Sequence, residues 1–182
     1  MGRKKDWSDH ALQVGIALDS AERGNEKGGY EISTAFVAPA RKKLLGLWMI
    51  HEHIIGGITY LDHFVRQQLK GAELGEGSCR ASYEFKEAIC IKKVAIEGLL
   101  ATEGGNLRYE YRTAVALSWR PGPGKVIIVQ PEIGYMMSSL DGNPAVCKDL
   151  PGSGEELRIS YRFEGKDLVL EEGNDHRLLR RV

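Results

Sequence analysis

Aromatic residues in the second half of the chain carry the clearest chemical signal in this sequence. They recur on one side of predicted strands, and the side that they share is the apolar one. A dry core favours Leu, Ile and Val, because a buried phenol needs a hydrogen-bond partner. Several tyrosines on a buried face therefore indicate a cavity that holds water or a ligand. The residues predicted to contact such a ligand are Tyr83, Phe85, Tyr109, Tyr111, Trp119, Tyr135 and Tyr161.

The same tyrosines have an alternative interpretation in which there is no cavity. Their hydroxyls would reach the rim of a packed core and bond to backbone groups there. Both interpretations stay open at the level of the sequence.

Histidines offer two further candidate sites. His51 and His53 flank Glu52. In a helix these positions point about 200° apart and cannot share an ion, and in a strand no third ligand lies nearby in sequence. We therefore predict no metal site. His63 follows Tyr60 by three residues, so a helix would place the two on one face as a pair for proton transfer, although a surface or capping histidine is the simpler interpretation.

The cysteines and the short motifs assign no catalytic residue and no cofactor. Cys79, Cys90 and Cys147 are an odd number without metal-type spacing, so we interpret them as free thiols. Cys90 lies near Lys92, which could lower the pKa of a thiol, but a buried strand cysteine is the simpler interpretation. The sequence contains no nucleophile elbow and no phosphate-binding glycine loop.

Composition sets the broad class. The 182 residues include 25 Lys plus Arg and 25 Asp plus Glu, so the net charge is zero and nucleic acid is a poor default partner. A 42% hydrophobic content is that of an ordinary globular protein, and we expect a single domain over 1–182. Because no apolar run could span a bilayer and no secretory signal begins the sequence, we expect a cytoplasmic protein.

The first 71 residues predict a hairpin followed by a helical pair. Residues 1–10 look polar and frayed, and alternating apolar residues predict a β-hairpin over 11–38, with a helix at 8–21 as the alternative. Residues 39–71 are predicted to form two helices. Trp48 belongs to the first helix, Gly56-Gly57 separates the two, and Thr59 caps the second.

After residue 78 the sequence predicts an antiparallel meander. Strands are expected at 79–86, 89–101, 106–120, 125–140, 157–163, 167–171 and 176–181. Over 106–120 the odd-numbered residues are apolar or aromatic, so they are predicted to be buried while the even-numbered residues are exposed. We expect a bulge near Lys92-Lys93, a bend at Pro131 and a loop over 141–156.

In its predicted strand order and a few motifs, the chain resembles the calycin superfamily, which includes lipocalins and fatty-acid-binding proteins. Gly46-Leu47-Trp48 is similar to the Gly-x-Trp of that family, and residues 161–170 with Arg180-Arg181-Val182 look like its last strands. Closure into a barrel also removes the exposed strand edges of a long meander. The expected fold is mainly β, an antiparallel calycin-like β-barrel with an N-terminal hairpin and a two-helix insertion. An open curved sheet is the competing fold.

The expected function is a non-enzymatic container for a small, partly apolar or amphipathic molecule. Fatty-acid-binding barrels hold a carboxylate with arginine and tyrosine, whereas here the arginines of the predicted meander strands fall opposite the apolar side. These arginines are Arg108, Arg112, Arg158 and Arg162. The alternatives are a calycin-fold isomerase or lyase that uses Tyr and His as acid and base, and a protein-interaction module with an apolar groove. The sequence does not indicate the oligomeric state.

Overall fold

The computed structural model describes residues 38–70 and 72–182. The predicted start at 1–10 and the predicted hairpin at 11–38 lie outside these residues, apart from Ala38. The described part contains two helices, α1 (Ala38–Leu44) and α2 (Tyr60–Gln68). Its strands are β1 (Gly46–Ile55), β2 (Ile58–Thr59), β3 (Leu74–Phe85), β4 (Ile89–Thr102), β5 (Gly105–Gly122), β6 (Val126–Leu140), β7 (Asn143–Pro151), β8 (Leu157–Glu164), β9 (Asp167–Glu172) and β10 (Asp175–Arg181).

Eight of these strands close into an antiparallel barrel. The hydrogen-bonded order is β1-β3-β4-β5-β6-β8-β9-β10, and β10 returns to pair with β1. Closure satisfies the edge groups that an open sheet would leave unpaired, as expected for a long meander. The prediction of a mainly β, closed antiparallel barrel is confirmed, and the competing open sheet is wrong.

In the central strand β5, the alternating pattern of apolar and polar residues determines which side chains face the lumen. Leu117 and Trp119 are buried inside the barrel, whereas Arg112 and Arg120 are exposed, as the alternation predicts. Ala116 is an exception, because it is on the outer phase and only 4% exposed. It lies beside a bulge in the pairing of β5 with β6.

At that bulge, strand β6 changes its pairing partner on the side away from β5. The register shifts where Ala116 and Leu117 of β5 face Ile133 and Pro131 of β6, so the expected bend at Pro131 is present within one strand. Below the bulge, β6 pairs with β8, and above it β6 pairs with β7. The predicted loop at 141–156 is therefore wrong, because it contains β7.

The segment around Trp48 corrects the predicted first helix. Residues 46–55 form strand β1 instead, which pairs with both β3 and β10. Leu44, Leu45, Trp48 and Met49 have helical spacing, but long-range pairing with two strands overrides that local signal. Gly56 and Gly57 have φ of 57° and 84° and make the tight turn from β1 to β2, where only glycine adopts such angles without strain.

The two helices lie at opposite ends of the barrel. Leu44 of α1 is fully buried in an apolar cluster with Phe85 and Leu179. Phe64 of α2 packs in a second cluster with Ile96 and Tyr109. Thr59 caps α2 as predicted, since its hydroxyl accepts a hydrogen bond from the Asp62 amide at 3.1 Å. The lumen between the clusters contains the candidate site.

Candidate functional site

A buried arginine is the centre of a polar cluster inside the barrel. The Arg177 side chain is 5% exposed and lies on the lumen face of β10. Its Nη1 donates to the Tyr83 hydroxyl at 3.0 Å, its Nε donates to Asp175 Oδ1 at 2.9 Å, and its Nη2 donates to Glu172 Oε2 at 3.2 Å. Two carboxylates and a phenol thus offset the cost of removing the guanidinium from water. We call Arg177, Asp175, Glu172, Tyr83 and His53 the lumen cluster.

Asp175 joins the arginine to a histidine on the neighbouring strand. His53 of β1 is the register partner of Arg177, and its Nε2 lies 2.8 Å from Asp175 Oδ1. Burial alone would raise the pKa of Asp175, but the hydrogen bonds with His53 and Arg177 outweigh it and lower the pKa to about 2. The carboxylate therefore stays ionised at neutral pH.

Tyr60, the first residue of α2, covers His53. The two rings are stacked, with centroids 4.4 Å apart and planes 8° from parallel. Burial, followed by the nearby Tyr111, raises the pKa of Tyr60 to about 12, so its phenol stays neutral. The Nδ1 atom of His53 is buried and has no hydrogen-bond partner among the described residues. The sequence paired Tyr60 with His63, whereas the structure pairs it with His53.

Lys92 is a second cation inside the barrel. It pairs in register with Tyr83 of β3 and Val115 of β5, so it lies on the lumen face of β4. Its Nζ is 5.8 Å from the centroid of the Tyr83 ring. Burial, and secondarily Arg177, lower the pKa of Lys92. The predicted bulge at Lys92-Lys93 is wrong, because both neighbouring ladders run through this point without a shift.

A cavity of about 290 Å³ joins the lumen cluster to apolar walls. Tyr83, Lys92, Glu172 and Arg177 form its polar end. Its apolar lining consists of Val115, Leu117, Val129, Pro131, Ile133, Leu150, Pro151, Leu157 and Ile159. Part of the lining lies where the pairing partner of β6 changes from β8 to β7. Ile133 and Leu157 are exposed at this point. The bulge in β6 therefore gives the lumen a side entrance.

A larger groove of about 550 Å³ lies at the α1 end, beside Trp48 and Phe163. Lys43, Lys166, Arg180 and Arg181 line it, and Arg180 and Arg181 are exposed. Arg181 packs over the Trp48 ring at 5.0 Å, while the Trp48 indole donates to Leu44 O at 2.7 Å. These contacts fix the position of α1 against the barrel. Because the charged groups of this groove are not enclosed, the inner cavity is the better candidate site.

The seven residues predicted to contact a ligand lie in several parts of the barrel. Of the seven, Tyr83 lines the inner cavity. Phe85 and Trp119 lie deeper in the core, with ring centroids 5.1 Å apart, and the Trp119 indole donates to Lys86 O at 2.7 Å. Tyr161 is half-buried against the same core, where it meets Phe163 edge to face.

The other three predicted contacts are elsewhere. Tyr109 and Tyr111 pack against Phe64 of α2, with ring centroids 6.5 and 4.7 Å away. Tyr135 is the register partner of Ala114 and lies on the outer face with Lys93, which corrects its predicted inward direction. The reason is the bulge at residues 131–133, which reverses the alternation of β6 beyond that point.

Sequence reasoning missed the inward cations. Arg108, Arg112 and Arg158 are exposed, as predicted, and Arg162 is partly exposed. Arg177 was not among the arginines considered, and it is buried in the lumen. A usable signal existed for Lys92, since it continues the apolar phase of Cys90, Val94 and Ile96 without a break. For Arg177 the signal was weak, because the strand DHRLLRR has charges on both phases.

The remaining candidate residues have structural positions. His51 is exposed, so it does not join His53, and the described residues contain no group of three metal-ligating side chains. All three cysteines are free, as predicted. Cys90 is fully buried, and burial raises its pKa, which contradicts the idea of an activated thiol.

No protein-family model, curated protein or solved structure matches this chain. The eight-stranded antiparallel barrel is compatible with a calycin-like fold. Within the described residues, none of the helices combines the length and the apolar character needed to cross a bilayer.

Proposed function

We propose that this protein is a non-enzymatic, calycin-like container that binds a small, partly apolar molecule inside its barrel. The observation that carries the proposal is the inner cavity, which combines one charged, hydrogen-bonding end with long apolar walls. Such a combination recognises an amphipathic molecule, because the polar end fixes its orientation while the walls remove its apolar surface from water.

The size of the cavity narrows the ligand class. Its volume of about 290 Å³ is just below the usual range for small-molecule sites, ~300–1,000 Å³. A single ring with a short chain fits this volume better than a long fatty acid does. The side entrance at Ile133 and Leu157 gives such a molecule a path that does not require the barrel to unfold.

Ligand-observed NMR with cuminyl alcohol, a small amphipathic probe, tests the proposal. We expect saturable binding at one site. Val115→Phe should abolish it, because the added ring fills the cavity, at a cost in folding free energy of about 1–3 kcal/mol. Ala114→Phe is the matched control, since Ala114 is next in sequence and on the outer face. Equal loss of binding in both variants, or no binding by the native protein, would contradict the container.

Native mass spectrometry of the purified protein gives an independent test. A molecule that co-purifies with the native barrel and is lost in Val115→Phe would identify the ligand class directly. Its mass should correspond to a molecule that fits about 290 Å³.

A calycin-fold isomerase or lyase is the second candidate function, favoured by the contact between His53 and Asp175. A carboxylate that accepts Nε2–H leaves the Nδ1 lone pair of a neutral imidazole available as a general base. His53 does not line the inner cavity, however, and Tyr60 covers its ring. This separation is why the container is preferred. The enzyme would become the preferred function if the protein turned over a co-purified ligand and if His53→Gln abolished this turnover while ligand binding was retained.

A further inference from the structure

Two adjacent lysines on β4 occupy different environments. Lys92 lines the inner cavity, whereas Lys93 is exposed on the outer face. Within the part of the chain that the structure describes, no hydrogen bond or ion pair involves Lys92 Nζ; it lies over the Tyr83 ring. Lys92 is half-buried, so its amine faces the open volume of the cavity instead of being packed against acceptors. Lys92 thus presents its amine to whatever occupies the cavity.

The surroundings of Lys92 favour its neutral amine. Removal from water disfavours the ammonium, and the neighbouring guanidinium of Arg177 repels it, so both lower the pKa of Lys92. A lysine that is desolvated beside another cation gives up its proton more readily than an exposed lysine does, and neutral amines attack carbonyl carbons. The apolar walls of the cavity would hold the remainder of a carbonyl compound beside this nitrogen.

We propose that the barrel takes apolar aldehydes or ketones and holds them as an imine on Lys92 Nζ. This inference rests on the proposed container function and names the chemical class of its ligand. It assigns to Lys92 a covalent role that a container of uncharged ligands would not need.

The reaction balances without an oxidant or reductant. The lone pair of the neutral amine forms a C–N bond with the carbonyl carbon, and a proton moves from nitrogen to oxygen to give a carbinolamine. Loss of that hydroxyl with one further proton releases water and leaves a C=N bond. Glu172 lines the same cavity, so its carboxylate is placed to accept and return protons during these transfers.

Charge balance favours the product in its protonated form. The carboxylates of Asp175 and Glu172 favour a positive charge on the Lys92 nitrogen. A protonated imine places such a charge on this nitrogen, so the two carboxylates stabilise the product once the bond has formed. Hydrolysis by the reverse path releases the ligand unchanged.

The test uses cuminaldehyde as the probe and sodium cyanoborohydride as the trap. The hydride reduces C=N to a stable secondary amine, and intact-mass and peptide-level mass spectrometry then locate the added group. We expect one cuminyl group on Lys92 at neutral pH. Because a lowered pKa raises the neutral fraction of an amine, the adduct should form on Lys92 faster than on any exposed lysine.

Two variants provide matched controls on adjacent positions. Lys92→Arg keeps the positive charge but removes the nucleophilic amine, so the adduct should be lost. Lys93→Arg makes the same change on the outer face and should leave the adduct intact. Peptide mapping on the native protein decides the proposal even where Lys92→Arg does not fold.

Binding of cuminyl alcohol separates this proposal from the container itself. Saturable binding of the alcohol, together with aldehyde adducts spread evenly over surface lysines, would overturn the imine and leave the container in place. Failure of both probes to bind would overturn both proposals. A single adduct on Lys92 that excess cuminyl alcohol suppresses would support both.

Discussion

Arg177 Nη1 donates a hydrogen bond to the Tyr83 hydroxyl across the lumen, over 3.0 Å and 94 residues of sequence. Both residues are almost fully buried, at 4% and 2% exposure. The contact joins β3 to β10 inside the barrel. It also fixes the phenol at the polar end of the cavity.

Tyr83→Phe should lower the free energy of unfolding by about 1–3 kcal/mol, because one donor of the buried guanidinium loses its acceptor. Denaturant unfolding followed by circular dichroism measures the change. Tyr161→Phe is the control, since Tyr161 is half-buried and its hydroxyl has no hydrogen bond within the described residues; its change should stay within about 0.5 kcal/mol. Equal effects would show that the Arg177 contact adds nothing to stability.

Asp175 should make the protein sensitive to acid. Its pKa is about 2 in the fold, below the ordinary value of 3.8, so folding favours the ionised form. The stabilisation of about 2 kcal/mol is fully present above the unfolded pKa and is lost as the pH falls from about 4 through 2. In Asp175→Asn this contribution should be absent, so native and variant stabilities should converge over that range.

Measurement of unfolding free energy at several pH values between neutrality and 2 tests this linkage. Asp149→Asn is a suitable control because Asp149 is exposed on β7. Its difference from the native protein should stay small and flat across the range. A constant difference for Asp175→Asn would contradict the assigned pKa.

Gly134 should tolerate no side chain. A Cβ built at this position would lie 2.8 Å from Ala114 O and 3.0 Å from Val115 Cγ2, so the backbones of β5 and β6 would have to separate. Gly134→Ala should lower the unfolding free energy by about 1–3 kcal/mol in a thermal or denaturant melt. Gly104→Ala, whose nearest atom is a Thr102 oxygen at 4.0 Å, should change it little. Similar losses at the two glycines would contradict this strand spacing.

The three thiols should differ in reactivity in the folded state. Cys147 is exposed on β7, whereas Cys90 is fully buried and burial raises its pKa. A maleimide should therefore label Cys147 quickly, and Cys90 only as fast as the barrel unfolds. Cys79 should be intermediate, since it is half-buried and burial raises its pKa to about 11. Mass spectrometry of peptides against time measures all three, and rapid labelling of Cys90 would contradict the closed core.

The sequence alone determined the meander. Alternation of apolar and polar residues within each strand of 79–140 and 157–181 is a local property, because a strand of a barrel presents one apolar face to the lumen. The capping of α2 by Thr59 and the bend at Pro131 are equally local, since each follows from one residue type at one position.

Tertiary structure decided the rest. Trp48 is on a strand because β1 closes the barrel against β10, a pairing between distant segments that helical spacing cannot reveal. Tyr135 faces outward because of one bulge in β6, and a slip of one residue reverses every later side chain. The lumen cluster brings together β1, β3, β9 and β10, so no single stretch of sequence contains it. Alternation tells which side of a strand is buried, but only closure of the barrel tells which buried residues meet.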